Sequence, residues 1–518
     1  MDKMLAMRIA MIIYIVLIVL IGMGMVWFVK GSGKRYVVCG KSIPFFILST
    51  MLLAQALEAN GTMGAAAATY AFGYWAGWVL PVGVAMCLFV TGALFARKLN
   101  SMNLLTLPDF YFRRYGSHTE WLSTLCMVFS FIVLVAGNLA GSGWIISLLF
   151  NLEYGSALLI ISTLIFIYTI CGGLFSSAGT NVVQMYPACI GFVFGAVWLI
   201  HTYGWDYFIA GLPPDASGSV SYFWDHTGWT SIDGGALINY AALMAVGLGD
   251  VIALDFMERV FAGKSGKIAR NACFFAGGMT LIVGSFSALF GILAYSLMAD
   301  AGYVVEDLRM VMPWIALEVL PFGIGVLVMT GIIGAGASTA SGGLVGVSTG
   351  LGRNVYQKNL YRWWLRRQGI TEIVHQTEED RKKFDARLLL ISRVVTVPVI
   401  LLAIWLGYVK PEPGILLVLA FDIGFATCVP ALFLGVYWKK ANAAGAVASI
   451  LVGGILRLIM YFTFPEDSRW VGIETFIPPT LGLIAMFAVS LATQKAYPPK
   501  PQALHEQPSE TDVLAGLA

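Results

Sequence analysis

At 518 residues, with 58% hydrophobic and only 12% charged side chains and a mean hydropathy of +0.79, the chain stands far from water-soluble proteins, in which roughly a quarter of residues are charged. This composition excludes a soluble globular domain and implies an all-α polytopic membrane protein embedded in the lipid bilayer. The formal net charge of +3 is a matter of topology, as the loops show, and implies no nucleic-acid partner.

Apolar runs of about 20 residues, the length that crosses a ~30 Å hydrocarbon core, predict about thirteen transmembrane helices. They fall near 8–29, 43–66, 76–96, 120–150, 156–174, 182–203, 236–257, 273–298, 322–351, 388–409, 415–437, 443–463 and 476–494. The first exceeds a signal-peptide core and is followed by no small-residue cleavage site, so it reads as a retained helix. Four regions follow: an extra N-terminal helix with a basic loop (1–42), a core (43–463), an additional helix (464–494) and a short Pro-containing tail (495–518) expected to be disordered. Within the core, the loop 353–387, with RWWLRRQG and EEDRKK, is expected to form a basic helix pair against the membrane surface.

Lys and Arg stay on the cytoplasmic side of a membrane protein. The alternate stretches 30–42, 97–118, 259–271, 353–387, 439–440 and 495–500 hold 25 of them, whereas the opposite loops hold three, Arg309, Lys410 and Arg469. Those opposite loops are acidic, with Asp206, Asp215, Asp225, Asp233, Asp300, Glu306 and Asp307. A plasma (inner) membrane protein with its N-terminus outside and its C-terminus in the cytoplasm is the expectation. None of the seven cysteines lies in an outward loop, so free thiols and no disulfides are expected. Five histidines, His118, His201, His226, His375 and His505, are scattered and receive no chemistry.

Ionisable groups at membrane depth are costly and mark cavities or pathways. The candidates are Glu58, Asp250, Asp255, Asp422, Arg393 and Arg457. The two arginines can snorkel to a helix end; the short acids cannot. Glu58 precedes Asn60 and Gly61, residues that disfavour helix and make local unwinding plausible. The seventh stretch repeats the pattern in MAVGLGDVIALD, with Gly247, Gly249 and Asp250 in mid-membrane. Counted after the extra helix, these are the first and sixth spans of a five-plus-five, inverted-repeat core, the placement of broken helices in secondary transporters. The alternative is that these glycines serve close helix packing. In the ninth stretch, GIIGAGASTASGGLVGVST, Ala335, Ser338 and Thr339 share one helix face. Their oxygens suit a small hard cation, or the hydroxyls bond back to their own helix.

TLPDFYFRRYG (106–116), CGGLFSSAGTNVVQ (171–184), MERVFAGKSGKIARNA (257–272), ASTASGGL (337–344) and VPALFLGVYWKKANAAGA (429–446) resemble signature stretches of the sodium:solute symporter family. The resemblance runs in order from about 40 to 460. It implies a five-plus-five core preceded by one helix, and sodium-coupled symport of a small organic solute into the cell by alternating access. It also implies a sodium site made by the carbonyls of Ala54, Leu57 and Ala335 with the hydroxyls of Ser338 and Thr339. Where the family often has Thr-Asp, this chain has Thr180 and Asn181; where members with a second sodium carry a hydroxyl, it has Gly342. Both departures remove oxygen ligands or charge and predict one sodium per cycle.

Glu58 follows directly on the proposed ligand Leu57. Its charge can assist the sodium, an attraction of about 4 kcal/mol at ~4 Å and a dielectric of ~20 before desolvation. It can instead exchange a proton, making the carrier proton-coupled, salt-bridge an amine on the substrate, or stand as a protonated acid bonded to a neighbouring helix. The substrate pocket is expected from Gln55, Glu58, Asn60, Asn138, Asp250 and Asp422, the last at a position resembling a substrate contact in sugar-carrying members. Acids outnumber bases there, which suggests an amine, zwitterion or polyol. Asp255 lies near the cytoplasmic end, where pairing with Arg259 is the structural expectation. Three rivals remain. A channel needs a continuous polar path, a transporter-like sensor needs a signalling domain longer than the tail, and an enzyme needs a clustered nucleophile or metal site.

Overall fold

The computed structural model describes residues 3–212, 227–367, 378–465 and 468–500, which are helical with no strand among them. Asp215, Asp225, His226, His375, His505 and the tail beyond 500 therefore lie outside the described residues, as does part of the loop 353–387. Ten helices are long and apolar enough to cross a membrane, or up to 12 if each of two bent pairs is one span. The stretch 43–66 is present as two shorter helices.

In chain order the principal helices are α1 (Lys3–Gly24), α2 (Phe45–Ala56), α3 (Ala59–Phe72), α4 (Tyr74–Val90), α5 (Pro108–Tyr115), α6 (Ser117–Phe150), α7 (Tyr154–Gly172) and α8 (Leu174–Tyr203). Then come α9 (Ala236–Met244), α10 (Leu254–Ala262), α11 (Gly266–Asp300), α12 (Phe322–Thr349), α13 (Glu378–Val409), α14 (Pro413–Thr427), α15 (Val429–Tyr437), α16 (Ala443–Thr463) and α17 (Ile473–Ala492). A π-helix, Gly350–Leu360, prolongs α12 on the basic face.

Three spans are interrupted, each for a local reason. Between α2 and α3, Leu57 (φ −91°, ψ 59°) and Glu58 (φ −78°, ψ 162°) leave the helical region, with Asn60 and Gly61 in the turn that follows. After α9 a π-turn (Ala245–Gly249) and a 3-10 turn (Asp250–Ile252) lead to Ala253 at ψ 122°, and α10 departs at 48°. Gly249 is required there, because any side chain would strike the Phe421 carbonyl of α14. The third bend, 46° between α14 and α15, falls at Cys428 just ahead of Pro430, where a ring without an N–H is accepted at a helix start.

The basic-side ends of the two broken spans are tied together. Ile43, ahead of α2, pairs with Gly263, just past α10, through Ile43 N–H to Ala262 carbonyl and Lys264 N–H to Ile43 carbonyl, both 3.1 Å. Asn100 Nδ2 caps the same strand of chain, donating to the carbonyls of Val260 (2.7 Å) and Gly263 (2.9 Å). α12 packs on α8 and α6 and faces the α2–α3 break. With little hydrophobic drive between helices inside lipid, such approach depends on small residues. Gly336 provides it, since a Cβ there would meet Ala59 Cβ and Asn138 carbonyl, both at 3.1 Å, and collide with Ser142. All seven cysteines are free, as the loop pattern predicts.

Candidate functional site

The site begins with backbone. The last turn of α2 closes with Leu57 N–H on the Leu53 carbonyl at 2.9 Å. Beyond it the chain turns away, so the final carbonyls lose the amides that a continuous helix supplies. α12 brings hydroxyls to that edge. Ser338 Oγ lies 2.7 Å from the Ala54 carbonyl and 2.8 Å from the Ala335 carbonyl, and Thr339 Oγ1 lies 3.4 Å from the Gln55 carbonyl. A serine hydroxyl has one proton and can donate to one of its two carbonyls at a time. The group is thus rich in oxygen and short of protons, the chemistry of a hard-cation site. Of the predicted sodium ligands, Ala54, Ala335 and Ser338 meet directly, Thr339 faces the Gln55 carbonyl beside them, and Leu57 forms the hinge.

Glu58 is buried at the break. Its Oε2 accepts from Asn138 Nδ2 of α6 at 2.7 Å and from Asn60 Nδ2 at 3.3 Å. Asn138 Oδ1 accepts from the Ala59 N–H at 3.2 Å, so one side chain of α6 holds both sides of the interruption. The Asn60 Oδ1 and Gln55 Oε1 atoms are buried with no hydrogen-bond partner among the described residues. Glu58, Asn60 and Asn138 are therefore brought together, while Gln55 joins the neighbouring group through its carbonyl at Thr339.

Asp250 is likewise buried, on the 3-10 turn of the second broken span. Among the described residues neither of its oxygens has a nitrogen or oxygen donor, and the Cys87 thiol of α4 stands beside it. Asp255 pairs with Arg259 as expected, at 3.6 Å between carboxylate and guanidinium, with Arg259 Nη1 also 3.0 Å from the Asp255 carbonyl. Asp422 is not brought to the group. It forms an ion pair with Arg457 of α16 and accepts from Thr475 Oγ1 of α17 at 3.3 Å, so it joins the core to the last two helices. Arg393 donates to the Cys171 carbonyl at 2.8 Å.

The two departures from the family pattern have structural counterparts. Asn181 is buried with both side-chain polar atoms unpartnered among the described residues, while Thr180 bonds back to the Ser176 carbonyl at 3.0 Å. Gly342 is covered by Arg259, and a Cβ there would stand 2.5 Å from Nη2 and 2.9 Å from Nη1. Sequence reasoning placed Arg259 in a basic loop and passed over Glu258. Both are buried on α10, and the signal was a charge pair within the apolar run MERVFA.

The model of the sodium:solute symporter family matches residues 36–453. A sodium/proline symporter of Haemophilus influenzae is 23% identical, covering 93% of this chain and 94% of that protein. The human high affinity choline transporter 1 is 22% identical, covering 93% and 83%, and the Escherichia coli sodium/pantothenate symporter is 24% identical, covering 88% and 89%. Among solved structures, a sodium-coupled sialic acid symporter in a substrate-bound outward-open state superposes with a TM-score of 0.72 at 16% identity, covering 97% of this chain and 99% of its own. That likeness shows the fold.

Proposed function

Because the chain belongs to the sodium:solute symporter family, we propose that it moves one sodium ion together with a small organic solute bearing a cationic nitrogen, inward by alternating access, with the N-terminus outside and the C-terminus in the cytoplasm. Family membership supports sodium-coupled symport and a multi-pass membrane protein. The observation that carries the reading is the contact of Ser338 with the Ala54 and Ala335 carbonyls at the broken helix. An ion held by Ala54, Leu57, Ala335, Ser338 and Thr339 would bridge α2 to α12. Bound sodium then favours one arrangement of the broken span against α12, and the solute pocket beside it gains affinity by the same factor, since coupling is reciprocal.

Three features support the finer terms. Asp250 presents a buried carboxyl with no ion-pair partner among the described residues, which suits a positively charged nitrogen on the solute; proline and choline, for which two of the relatives are named, each carry such a nitrogen. Asn181 brings no charge and Gly342 no oxygen. The Arg259 guanidinium against Gly342 opposes a second cation there, which supports one sodium per cycle.

Purified protein screened by thermal stability against sugars, amino acids, carboxylates and amines, in sodium and in potassium, tests this. A solute stabilises the fold it binds by mass action. The expected hit carries a cationic nitrogen and stabilises more in sodium; equal stabilisation in potassium sinks the coupling. Asp250→Asn should weaken that solute about tenfold, the loss of roughly 1.4 kcal/mol, while leaving sodium affinity in place. A sodium Hill coefficient near two would reject the single-ion term.

A further inference from the structure

On the basic face, the short helix Tyr361–Arg367 and the foot of α13 enclose an open cavity of about 480 Å³ lined by Tyr356, Leu360, Tyr361, Trp363, Trp364 and Arg387. Tyr356, Tyr361 and Trp364 form a continuous stack, with centroids 6.2 and 5.9 Å apart and planes within about 20°. One guanidinium sits on this aromatic wall and a second on the neighbouring Trp363. Arg387 lies 5.5 Å from the Tyr361 centroid and donates from Nη1 to the Tyr361 hydroxyl at 2.7 Å, and Arg367 lies 3.9 Å over Trp363. Leu360, Trp363 and Trp364 are 54%, 54% and 48% exposed. Large aromatics open to the surroundings beside arginines belong at a membrane interface rather than in bulk water.

The helix that carries Arg387 extends the pattern into the membrane. Leu390, Val394, Val397 and Leu401 follow Arg387 at alternating spacings of three and four, which places all five on one face of α13. Those four are 62%, 60%, 43% and 58% exposed, so the face is turned toward lipid. A guanidinium stands at the foot of an apolar stripe, with an aromatic-walled cavity beside it. Among the described residues no carboxylate lines the cavity. Of the described acids nearby in sequence, Glu378 pairs with Lys382 at 3.0 Å, Glu379 with Lys383 at 2.8 Å, and Asp385 accepts from the Lys34 N–H at 2.8 Å.

We propose that this is a binding site for an anionic phospholipid of the leaflet on the basic side, with its phosphate at Arg387 and Arg367 and an acyl chain along Leu390, Val394, Val397 and Leu401. Arginine matches phosphate oxygens in a bidentate fork. Two ring faces already carry guanidiniums, so the ammonium of a zwitterionic headgroup would meet like charge. The site is separate from the sodium cradle, and its test does not depend on transport.

Full-length protein is mixed with equal amounts of phosphatidylglycerol and phosphatidylcholine, and the retained lipid is counted by native mass spectrometry. Phosphatidylglycerol should be retained in preference. Arg387→Gln should reduce that preference about fivefold, the worth of one basic side chain at an anionic surface. Arg367→Gln, at the other guanidinium, tests the same claim should the first variant fold poorly. Leu390→Ser should weaken retention, because the chain-binding stripe is then interrupted. Equal retention of the two lipids by the unaltered protein, an undiminished preference in both arginine variants, or displacement of the lipid by inorganic phosphate alone would each overturn the proposal.

Discussion

Two buried polar clusters lie along α6 and α12, each drawing carboxylates from other elements as well, and they are built on opposite principles. At the basic face, Lys358 Nζ lies 2.6 Å from both Asp109 Oδ1 and Glu120 Oε1, and Arg353 Nε lies 2.9 Å from Asp109 Oδ2. Asn354 Nδ2 bridges the same carboxylates at 3.1 and 2.6 Å. Two cations meet two carboxylates, which fastens α5 and the foot of α6 to the π-helical end of α12. Some twenty residues up α12, at the break, Glu58 receives only amide donors and Asp250 has no nitrogen or oxygen donor among the described residues. Unpaired buried polar groups are costly. A cluster whose carboxylates meet cations is a fastening, even with Glu120 Oε2 left without a hydrogen bond among the described residues, whereas one whose carboxylates meet no cation is arranged for something that arrives.

The sharpest way to break this comparison is Lys358→Met. Removing one partner of a buried pair strands the others and typically costs about 3–5 kcal/mol, so thermal or denaturant unfolding should show a large loss, with sodium affinity of the folded fraction unchanged. A cost below about 1 kcal/mol would show that the cluster is not a fastening. The pH dependence has a definite sign. Burial pushes the Asp109 carboxyl up, but Arg353 and Lys358 outweigh it and hold the group well below the usual carboxylate range. Its contribution is therefore complete above an ordinary Asp pKa of about 3.9 and is lost only as pH falls through the lower folded value. The penalty of Asp109→Asn should accordingly be constant between about pH 5 and 8.

A smaller effect is expected at the cradle. Ser338→Ala removes an oxygen from a proposed cation site, and an interaction with a charged group is worth about 1.5–3 kcal/mol. Sodium affinity, read by titrating thermal stability, should fall by about tenfold or more, while stability in potassium changes much less. An equal loss in both salts would make Ser338 a structural residue like those of the paired cluster.

The contrast also explains what the sequence could convey. Span positions, the charged sides and the two broken core helices follow from composition and periodicity, because lipid imposes one length and one backbone rule on every segment. The oxygen group at the break is legible in part, since Ser338 and Thr339 share a face and the break is marked by Glu58, Asn60 and Gly61, while its assignment to sodium comes from the family resemblance. Partner choice was not. Whether Asp422 turns toward Glu58 and Asn138 or toward Arg457 depends on how α14 turns against α16 and α17, which local pattern does not encode. Asn138 read as a solute contact, yet it spans the break by bonding Glu58 and Ala59 from another helix. The fastening at Asp109 joins residues far apart in the chain, and its members read individually as loop charges.

Glu58→Gln gives the smallest structural change and the finest resolution. Glutamine keeps the shape and one acceptor for Asn138 and Asn60, so stability should shift by less than about 1 kcal/mol, the scale of one hydrogen bond. Function then divides the readings of this carboxylate. If its charge assists the ion, sodium affinity falls and the solute profile stays. If it carries a proton, the pH dependence of flux vanishes while sodium affinity stays. If it holds an amine, preference among charged and neutral solutes changes first. The amide donors around Glu58 satisfy a carboxylate without neutralising it, as Arg353 and Lys358 do for Asp109. The expected outcome is therefore the first, a loss of sodium affinity smaller than that of Ser338→Ala. A variant with unaltered sodium, pH and solute responses would place Glu58 with the fastening residues and dissolve the distinction between the two clusters.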